Sequence, residues 1–350
     1  MAGRAAGGGT GLGPGPRGAA RLRARGRRPG ARVSRPPRRP DARRDARPGR
    51  RLRDALARAA VPALPFAWLL AFFGLPFLIV LKISLSDPAT ALPPYTPVLD
   101  WDAGVAGWSD FLAALDFENY RTLAADPLYL DAALTSLWIA LAATLLLALV
   151  GYPIAYGMAR APRRLQPLLV ALMVIPFWTS FLIRVYAWIA ILKADGFLNQ
   201  ALLALGLVAQ PLTILNTPAA ILIGIVYAYL PFMVLPLYAV LERLDRGLIE
   251  AARDLGASRE AAFLTVTLPL SAPGLAAGAL LCFIPIIGEF IVPDLLGGAD
   301  TLMLGRVLWS EFFSNRDWPL AAAVAVVMLL IVAGPLVLFR EAEARQMERP

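Results

Sequence analysis

Ionisable side chains inside long apolar runs are the first candidates for chemistry in this sequence. Arg184 lies in the apolar stretch 166–192, and Glu289 and Asp294 lie in the stretch 270–294. A charged group in hydrocarbon is costly, so it usually meets an opposite charge, a cavity or the membrane surface. Arg184 and Glu289 lie at nearly equal depth, roughly 27–29 Å along their helices at 1.5 Å per residue. We therefore expect them to form an ion pair or to share a gate.

Aromatic residues accompany these charges. An organic ammonium is attracted both to aromatic faces and to carboxylates, so the combination suits the path of an organic cation. Each aromatic residue taken alone is more typical of membrane anchoring or helix packing. The candidate path residues are Trp178, Arg184, Tyr186, Tyr227, Tyr229, Glu289 and Asp294.

The composition does not favour catalysis. The chain has no His and a single Cys, Cys282, which excludes an intramolecular disulfide, His-based catalysis and a Cys/His metal site. It has no G-x-x-x-x-G-K-[ST] loop for nucleotide phosphates, so any ATP must be bound by another polypeptide. Glu289 and Asp294 have no nucleophile–base pair beside them. A membrane-embedded enzyme is therefore the weaker alternative, and we predict no catalytic residue, metal or cofactor.

A polar segment between two apolar runs, about residues 242–269, is the second candidate site; we call it the elbow. Asp245 can cap a first short helix, and Ser258 can cap a second. Gly256 between them is suited to end the first helix, because glycine tolerates positive φ. Two short amphipathic helices joined at a glycine fit a groove on a partner. The alternative is an ordinary cytosolic helical hairpin.

These sites must be held by helices that cross a membrane. The chain is 58% hydrophobic with a mean hydropathy of +0.61, which is too apolar for a soluble domain. A bilayer needs about 20 apolar residues per helix. A shorter segment, about 197–212, reads as an interfacial or re-entrant helix. The sequence predicts an all-α integral membrane protein with spans at about 62–83, 132–158, 166–192, 217–241, 270–294 and 320–339.

Positive charge predicts the orientation of these spans. Cytoplasmic ends of membrane spans carry an excess of Arg and Lys. With six spans, the Arg-rich ends all fall on one side, and the acidic loop after the first span falls on the other. Both termini and the elbow are therefore expected in the cytoplasm. The Arg-rich ends are Arg50–Arg58, Arg160–Arg164, Arg243–Arg259 and Arg340–Arg349.

The net charge of +9 comes from the N-terminal end, because the rest of the chain holds more acidic than basic residues. Residues 1–58 are rich in Arg, Pro and Gly, so we predict a disordered cytoplasmic tail before a membrane domain at 59–345. Such a tail can touch anionic lipid headgroups. A scaffold that tethers nucleic acid or lipid is a further alternative, although we expect no nucleic-acid partner.

The spacing of the elbow resembles the coupling loop of bacterial ABC-importer permeases. Glu-Ala-Ala is followed after three residues by Gly, after nine more by Val266, and after one more by Leu-Pro; the family pattern has Ile where Val266 stands. The resemblance implies that this loop docks in a cleft of an ATPase. The implied coupling residues are Glu250, Ala251, Ala252, Asp254, Gly256, Leu268 and Pro269.

Further segments resemble the spermidine/putrescine permeases, and the likeness covers about residues 62–340. It implies a type I (MetI-like) permease fold with six spans and a cytoplasmic coupling loop in the bacterial plasma (inner) membrane. The implied substrate is a polyamine; permeases for ferric iron, thiamine or other small solutes share much of the pattern and are the alternative. The segments are Ile175–Ser180, Tyr229–Met233, Gly288–Gly298, Gly305–Trp309 and Asn315–Pro319.

The same resemblance implies several partners. These are a second permease subunit, expected to be a paralogue, two ATP-binding subunits that carry out hydrolysis, and an extracytoplasmic solute-binding protein. Membrane lipids surround the whole.

Overall fold

The computed structural model describes residues 62–98, 100, 102, 104–298 and 301–347. The chain divides into two units, Met1–Leu64 and Pro65–Pro350, and only residues 62–64 of the first belong to the described part. The predicted tail, 1–58, lies outside the described residues. The boundary between tail and membrane domain therefore stays a prediction.

The described residues are mostly helical. Short strands β1 (Asp87–Pro88) and β2 (Tyr95–Thr96) pair antiparallel, with Asp87 opposite Thr96. The helices are α1 (Pro62–Ile83), α2 (Gly104–Ala113), α3 (Glu118–Ala125), α4 (Pro127–Arg160), α5 (Gln166–Val174), α6 (Phe181–Leu192), α7 (Phe197–Ala204), α8 (Pro218–Arg243), α9 (Arg246–Asp254), α10 (Arg259–Ile287), α11 (Ile291–Leu296), α12 (Leu304–Trp309) and α13 (Trp318–Met347).

Five helices among the described residues are long and apolar enough to cross a membrane. They are α1, α4, α8, α10 and the Trp318–Val337 part of α13. A sixth span results if the pair Gln166–Trp178 and Phe181–Ala204 is counted as one, although its halves meet at 90°. The predicted set of apolar segments is therefore confirmed, but the prediction of one continuous helix over 166–192 is wrong.

The break in the third apolar segment has a local cause. Helix α5 ends in a 3₁₀ turn, Ile175–Trp178, and the next two residues adopt extended backbone with ψ of 151° at Thr179 and 133° at Ser180. The Thr179 hydroxyl donates to the Pro176 carbonyl at 2.7 Å. Thr and Ser side chains can compete for backbone groups in this way and so favour turns over helix.

The fifth apolar segment is also shorter than predicted at its far end. We expected a span over 270–294, but α10 runs from Arg259 to Ile287 and a separate helix, α11, follows. Glu289 lies in the gap and accepts hydrogen bonds from the backbone N–H groups of Ile291, at 3.1 Å, and Val292, at 3.4 Å. A carboxylate that caps a new helix start stabilises the break.

Helix α8 packs between α4 and α10 and forms the centre of the membrane domain. Its fully buried Ile221, Ile225 and Met233 belong to the same core as Leu147 of α4 and Ile286 of α10. In a membrane such helices associate through close packing and interhelical hydrogen bonds rather than through exclusion of water.

Polar contacts add to this packing. The Tyr152 hydroxyl of α4 and the Ser271 hydroxyl of α10 lie 2.7 Å apart. The Ser136 hydroxyl of α4 accepts from the backbone N–H of Leu304 at 2.8 Å, which satisfies a donor at the start of α12.

Gly305 of α12 lies against the break after α10. A Cβ at this position would stand 2.5 Å from the carbonyl oxygen of Gly288 and 2.7 Å from that of Glu289. These are rigid backbone atoms, so only glycine allows this close approach.

Replacing Gly305 with Ala is expected to destabilise the fold by about 1–3 kcal/mol, because the methyl group must displace backbone. Thermal unfolding of the purified chain in detergent measures this. Gly157→Ala is the matched control, since a Cβ there meets no atom within 4 Å. Equal unfolding midpoints for the two variants would contradict the packing described for Gly305.

Candidate functional site

The elbow forms as its sequence predicts. The Asp245 carboxylate accepts from the N–H of Gly247 at 2.9 Å and caps α9. Gly256 follows α9 with a φ of +93°, a conformation that residues with a Cβ rarely adopt. The Ser258 hydroxyl accepts from the N–H of Ala261 at 3.1 Å and caps α10. Both predicted caps and the predicted glycine stop are confirmed.

The outer surface of the elbow is both charged and apolar. Leu255 at its tip is 90% exposed, and Leu248 is 50% exposed. Ile249 and Ala252 are half-buried, and α9 packs against the π-helical turn Phe263–Thr267 within α10. An exposed apolar side chain with charged neighbours is typical of a surface that binds a partner.

Three of the predicted coupling residues come together on this surface. Glu250, Asp254 and Gly256 line a concavity of about 450 Å³ with Arg253 and Ser258. The other four predicted coupling residues do not line this concavity. Ala251 is exposed and Ala252 is half-buried on α9, and Leu268 and Pro269 follow the π turn within α10.

The base of the elbow is clamped to α4. The Phe263 ring meets the rings of Tyr152 and Tyr156 edge to face, with centroids 5.5 Å and 5.9 Å apart. Edge-to-face aromatic pairs favour one geometry over others. The elbow therefore contacts α4 through residues that the sequence pattern did not single out.

A cavity lies at the far end of α10 from the elbow. Helix α10 has 29 residues, so its ends lie about 43 Å apart at 1.5 Å per residue. The cavity has a volume of about 580 Å³. Its charged and aromatic lining residues are Phe177, Phe181, Arg184, Tyr229, Phe232, Glu289 and Phe290.

Glu289 is fixed on both carboxylate oxygens. The Tyr229 hydroxyl donates to Oε2 at 2.6 Å, and Oε1 accepts from the start of α11. The residue is only 8% exposed. Burial of a carboxylate requires such partners, because an unsatisfied charge in an apolar setting is costly.

Arg184 shares this cavity with Glu289, but the expected ion pair is not formed. Its guanidinium carbon lies 5.3 Å from the centroid of the Phe177 ring and 5.6 Å from that of Phe181. Its Nε is buried without a hydrogen-bond partner. Tyr229 and backbone N–H groups already occupy the carboxylate, while the aromatic faces hold the guanidinium. The two side chains line one cavity, and a shared gate stays a prediction.

The remaining path residues do not line this cavity. Asp294 instead pairs with Nε of Arg306 at 3.1 Å. Trp178 is 87% exposed and Tyr186 57% exposed. Tyr227 packs edge-on against Trp188 with centroids 5.4 Å apart. A role for these four positions in a solute path stays a prediction.

Four phenylalanines of the cavity were missed. Phe177, Phe181, Phe232 and Phe290 line it, yet in an apolar segment a phenylalanine reads equally as core or lipid-facing. The sequence offered one clue to two of them, because Phe177 is next to the predicted Trp178 and Phe290 is next to the predicted Glu289. The two helix breaks bring these rings together.

Comparison with known proteins identifies the class. A model of the family described as binding-protein-dependent transport system inner membrane component matches residues 148–339. The chain belongs to this family, so it is an inner-membrane permease with several membrane-spanning helices.

Relatives and a solved structure agree with this assignment. The spermidine/putrescine transport system permease protein PotB of Salmonella typhimurium (strain SL1344) is 45% identical over 222 residues, 63% of this chain and 77% of that protein. PotB of Haemophilus influenzae is 42% identical over 272 residues, 77% of this chain and 88% of that protein. A crystal structure of a bacterial alginate ABC transporter in complex with an alginate pentasaccharide-bound periplasmic protein has a TM-score of 0.58 and 16% identity, over 86% of this chain and 98% of that chain.

At this identity the solved structure supports the fold alone. The predicted all-α ABC-importer permease fold and the family resemblance are confirmed.

Removal of the Tyr229 hydroxyl tests the hydrogen bond to Glu289. Tyr229→Phe leaves Oε2 of the buried carboxylate without its donor, which should cost about 1–3 kcal/mol of stability. Tyr186→Phe, at an exposed tyrosine outside the cavity, serves as the control. We expect a lower thermal unfolding midpoint in detergent only for Tyr229→Phe; an unchanged midpoint would mean that this hydrogen bond does not stabilise the site.

Proposed function

We propose that this chain is a permease subunit of an ATP-driven importer of polyamines, with spermidine and putrescine as the substrate class. The observation that carries the proposal is a buried carboxylate, Glu289, within an aromatic cavity. The 42–45% identity to permeases named for spermidine and putrescine supports the same substrate class.

The chemistry of the cavity suits an organic ammonium. Aromatic faces attract cations through their ring quadrupole, and a nearby carboxylate adds charge attraction. The guanidinium of Arg184 lies on the rings of Phe177 and Phe181, so the aromatic lining of this cavity is able to hold an organic cation. The methylene chain of a polyamine is complementary to the apolar remainder of the lining.

We further propose that the elbow docks on a separate ATP-binding subunit. Leu255 and Leu248 lie uncovered at the elbow among charged residues, which suits insertion into a groove. The full importer would contain two ATP-binding subunits, a second permease subunit that is a paralogue, and an extracytoplasmic solute-binding protein. ATP would be bound by the partner subunits, so this chain would need no cofactor of its own.

The mechanism that fits this arrangement is alternating access. Closure of the ATPase pair on ATP displaces the elbow, and the Phe263 clamp passes the displacement to α4 while α10 carries it to the cavity. The helix breaks beside the cavity give the far ends of the spans freedom to reorient. Coupling requires only that ATP and solute each bind one of the two states more tightly.

The proposed orientation places the elbow and both termini in the cytoplasm. Arg160, Arg163 and Arg164 follow α4, and Arg243, Arg246 and Arg253 surround the elbow. Clusters of Arg beside span ends mark the cytoplasmic face. The cavity, at the opposite end of α10, would then open toward the side where the solute-binding protein delivers its cargo.

Charge reversal at the elbow tests the coupling role. Glu250→Lys reverses an exposed charge, so the spans should fold normally while uptake falls about tenfold, within the usual range of coupling energies. The measurement is uptake in cells that contain the complete importer, with ATPase activity and membrane abundance recorded in parallel. Glu341→Lys makes the same charge change at an exposed position of α13 and is the control. Normal uptake by Glu250→Lys at normal abundance would remove the coupling role.

Neutralising the cavity carboxylate tests the solute site. Glu289→Gln keeps the shape but removes the charge, so polyamine uptake should fall by roughly tenfold or more. Basal ATPase activity and association with partner subunits should be kept. Asp131→Asn, at an exposed carboxylate of α4, is the matched control. An equal loss of uptake and of subunit association would instead assign Glu289 a purely structural role.

A further inference from the structure

Five aromatic rings form a continuous series on the side of the molecule that holds the cavity; we call it the aromatic ladder. Phe290 stacks on Trp309 with centroids 4.8 Å apart, and Trp309 contacts Phe313 at 4.1 Å. Phe313 meets Phe312 edge to face at 4.9 Å, and Phe312 stacks on Trp318 at 4.9 Å. Each ring therefore touches the next without interruption.

The two ends of the ladder open into different spaces. Phe290 lines the cavity that contains Glu289. Phe312, Phe313 and Trp318 line a second, outer cleft of about 960 Å³, whose opposite wall comes from the loop between β1 and β2. The ladder therefore connects the outer cleft with the inner cavity.

The backbone around the ladder is held in an unusual shape. Residues Ser310–Asn315 form a π-helical turn, a feature frequent at functional sites. Glu311 within this turn accepts hydrogen bonds from the Tyr129 hydroxyl at 3.1 Å and from Nδ2 of Asn315 at 2.8 Å. The Tyr129 contact joins the turn to α4, and the Asn315 contact lies within the turn.

The simpler explanation is that these rings only anchor the protein at the membrane surface. Anchoring requires no connection between rings, whereas this series runs without a gap from a carboxylate-bearing cavity to a cleft. A second carboxylate, Asp317, lines that cleft beside Arg316, and its Oδ1 accepts from the N–H of Leu320 at 3.0 Å. Trp309 and Phe313 keep 44% and 56% of their surfaces exposed, so ring surface remains for a ligand.

We propose that the aromatic ladder is the access path by which an organic polycation passes from the outer cleft to Glu289. Asp317 attracts the polycation at the cleft. The ammonium groups of the polycation then move from ring to ring through cation–π contacts. Adjacent ring centres are 4.1–4.9 Å apart, so a molecule with several ammonium groups contacts a new ring before it leaves the last. This inference rests on the proposed function for its substrate class.

Cysteine labelling tests occupancy of the path. The chain has one cysteine, Cys282, which is buried, so a Thr90→Cys variant adds an accessible thiol to this chain at an exposed position that lines the outer cleft and is not one of the ladder rings. In membranes that contain the complete importer, spermidine at twice its dissociation constant should slow labelling by a polar thiol reagent about threefold. Phe197→Cys is the control, since Phe197 is 74% exposed and lines neither space. Equal labelling of Thr90→Cys with and without spermidine would overturn the ladder.

Graded substitution of Trp309 tests the cation–π contact itself. Trp309→Leu should raise the KM for spermidine uptake roughly three- to tenfold, and Trp309→Phe should restore much of the affinity. A purely structural loss would lower the amount of functional importer, and with it the maximal rate, without this order in KM. An unchanged KM for Trp309→Leu would contradict the proposal.

The outcomes separate this inference from the function on which it rests. If the importer with the unaltered chain takes up no spermidine, the proposed polyamine function is wrong, and the proposed access path is wrong with it. If uptake is normal but the labelling and KM tests give no effect, only the ladder fails.

Discussion

The hydrogen bonding of the Glu289 carboxylate is the interaction on which the cavity depends. In hydrocarbon every backbone polar group needs a partner, so a helix can break there only where other groups satisfy it. Oε1 of Glu289 accepts from the start of α11, and Oε2 accepts from Tyr229 of α8. One side chain thus permits the break after α10, joins that break to the central helix and places a negative charge in the cavity.

Helix α10 connects the two ends of the proposed mechanism. Its first residues are capped within the elbow by Ser258, and its last precede Glu289. The aromatic clamp at Phe263 and the hydrogen bond between Tyr152 and Ser271 both join its elbow end to α4. The elbow end is therefore firmly attached, whereas the cavity end is surrounded by breaks. In the proposed mechanism, α10 and α4 would move together at the elbow end, while the helix breaks would let the cavity end reorient.

The cavity holds a cation of its own, which would limit how the proposed solute binds. Arg184 lies on two aromatic rings and has no carboxylate partner among the described residues. An ammonium group that approaches Glu289 must therefore meet both attraction from the carboxylate and repulsion from the guanidinium. The attraction would favour binding and the repulsion would favour release, and a transporter requires both.

The sequence by itself determined the features that depend on neighbouring residues. The elbow, with Asp245, Gly256 and Ser258 in their predicted roles, follows from capping chemistry within a few residues. The apolar segments follow from hydropathy, because a bilayer selects for length and composition. Hydropathy did not predict where the third and fifth segments break, and the tertiary structure alone decided which side chains meet across those breaks. Thr179 and Ser180 carry no charge, so the surrounding segment still reads as one apolar run. The rings that form the cavity and the ladder are brought together by packing.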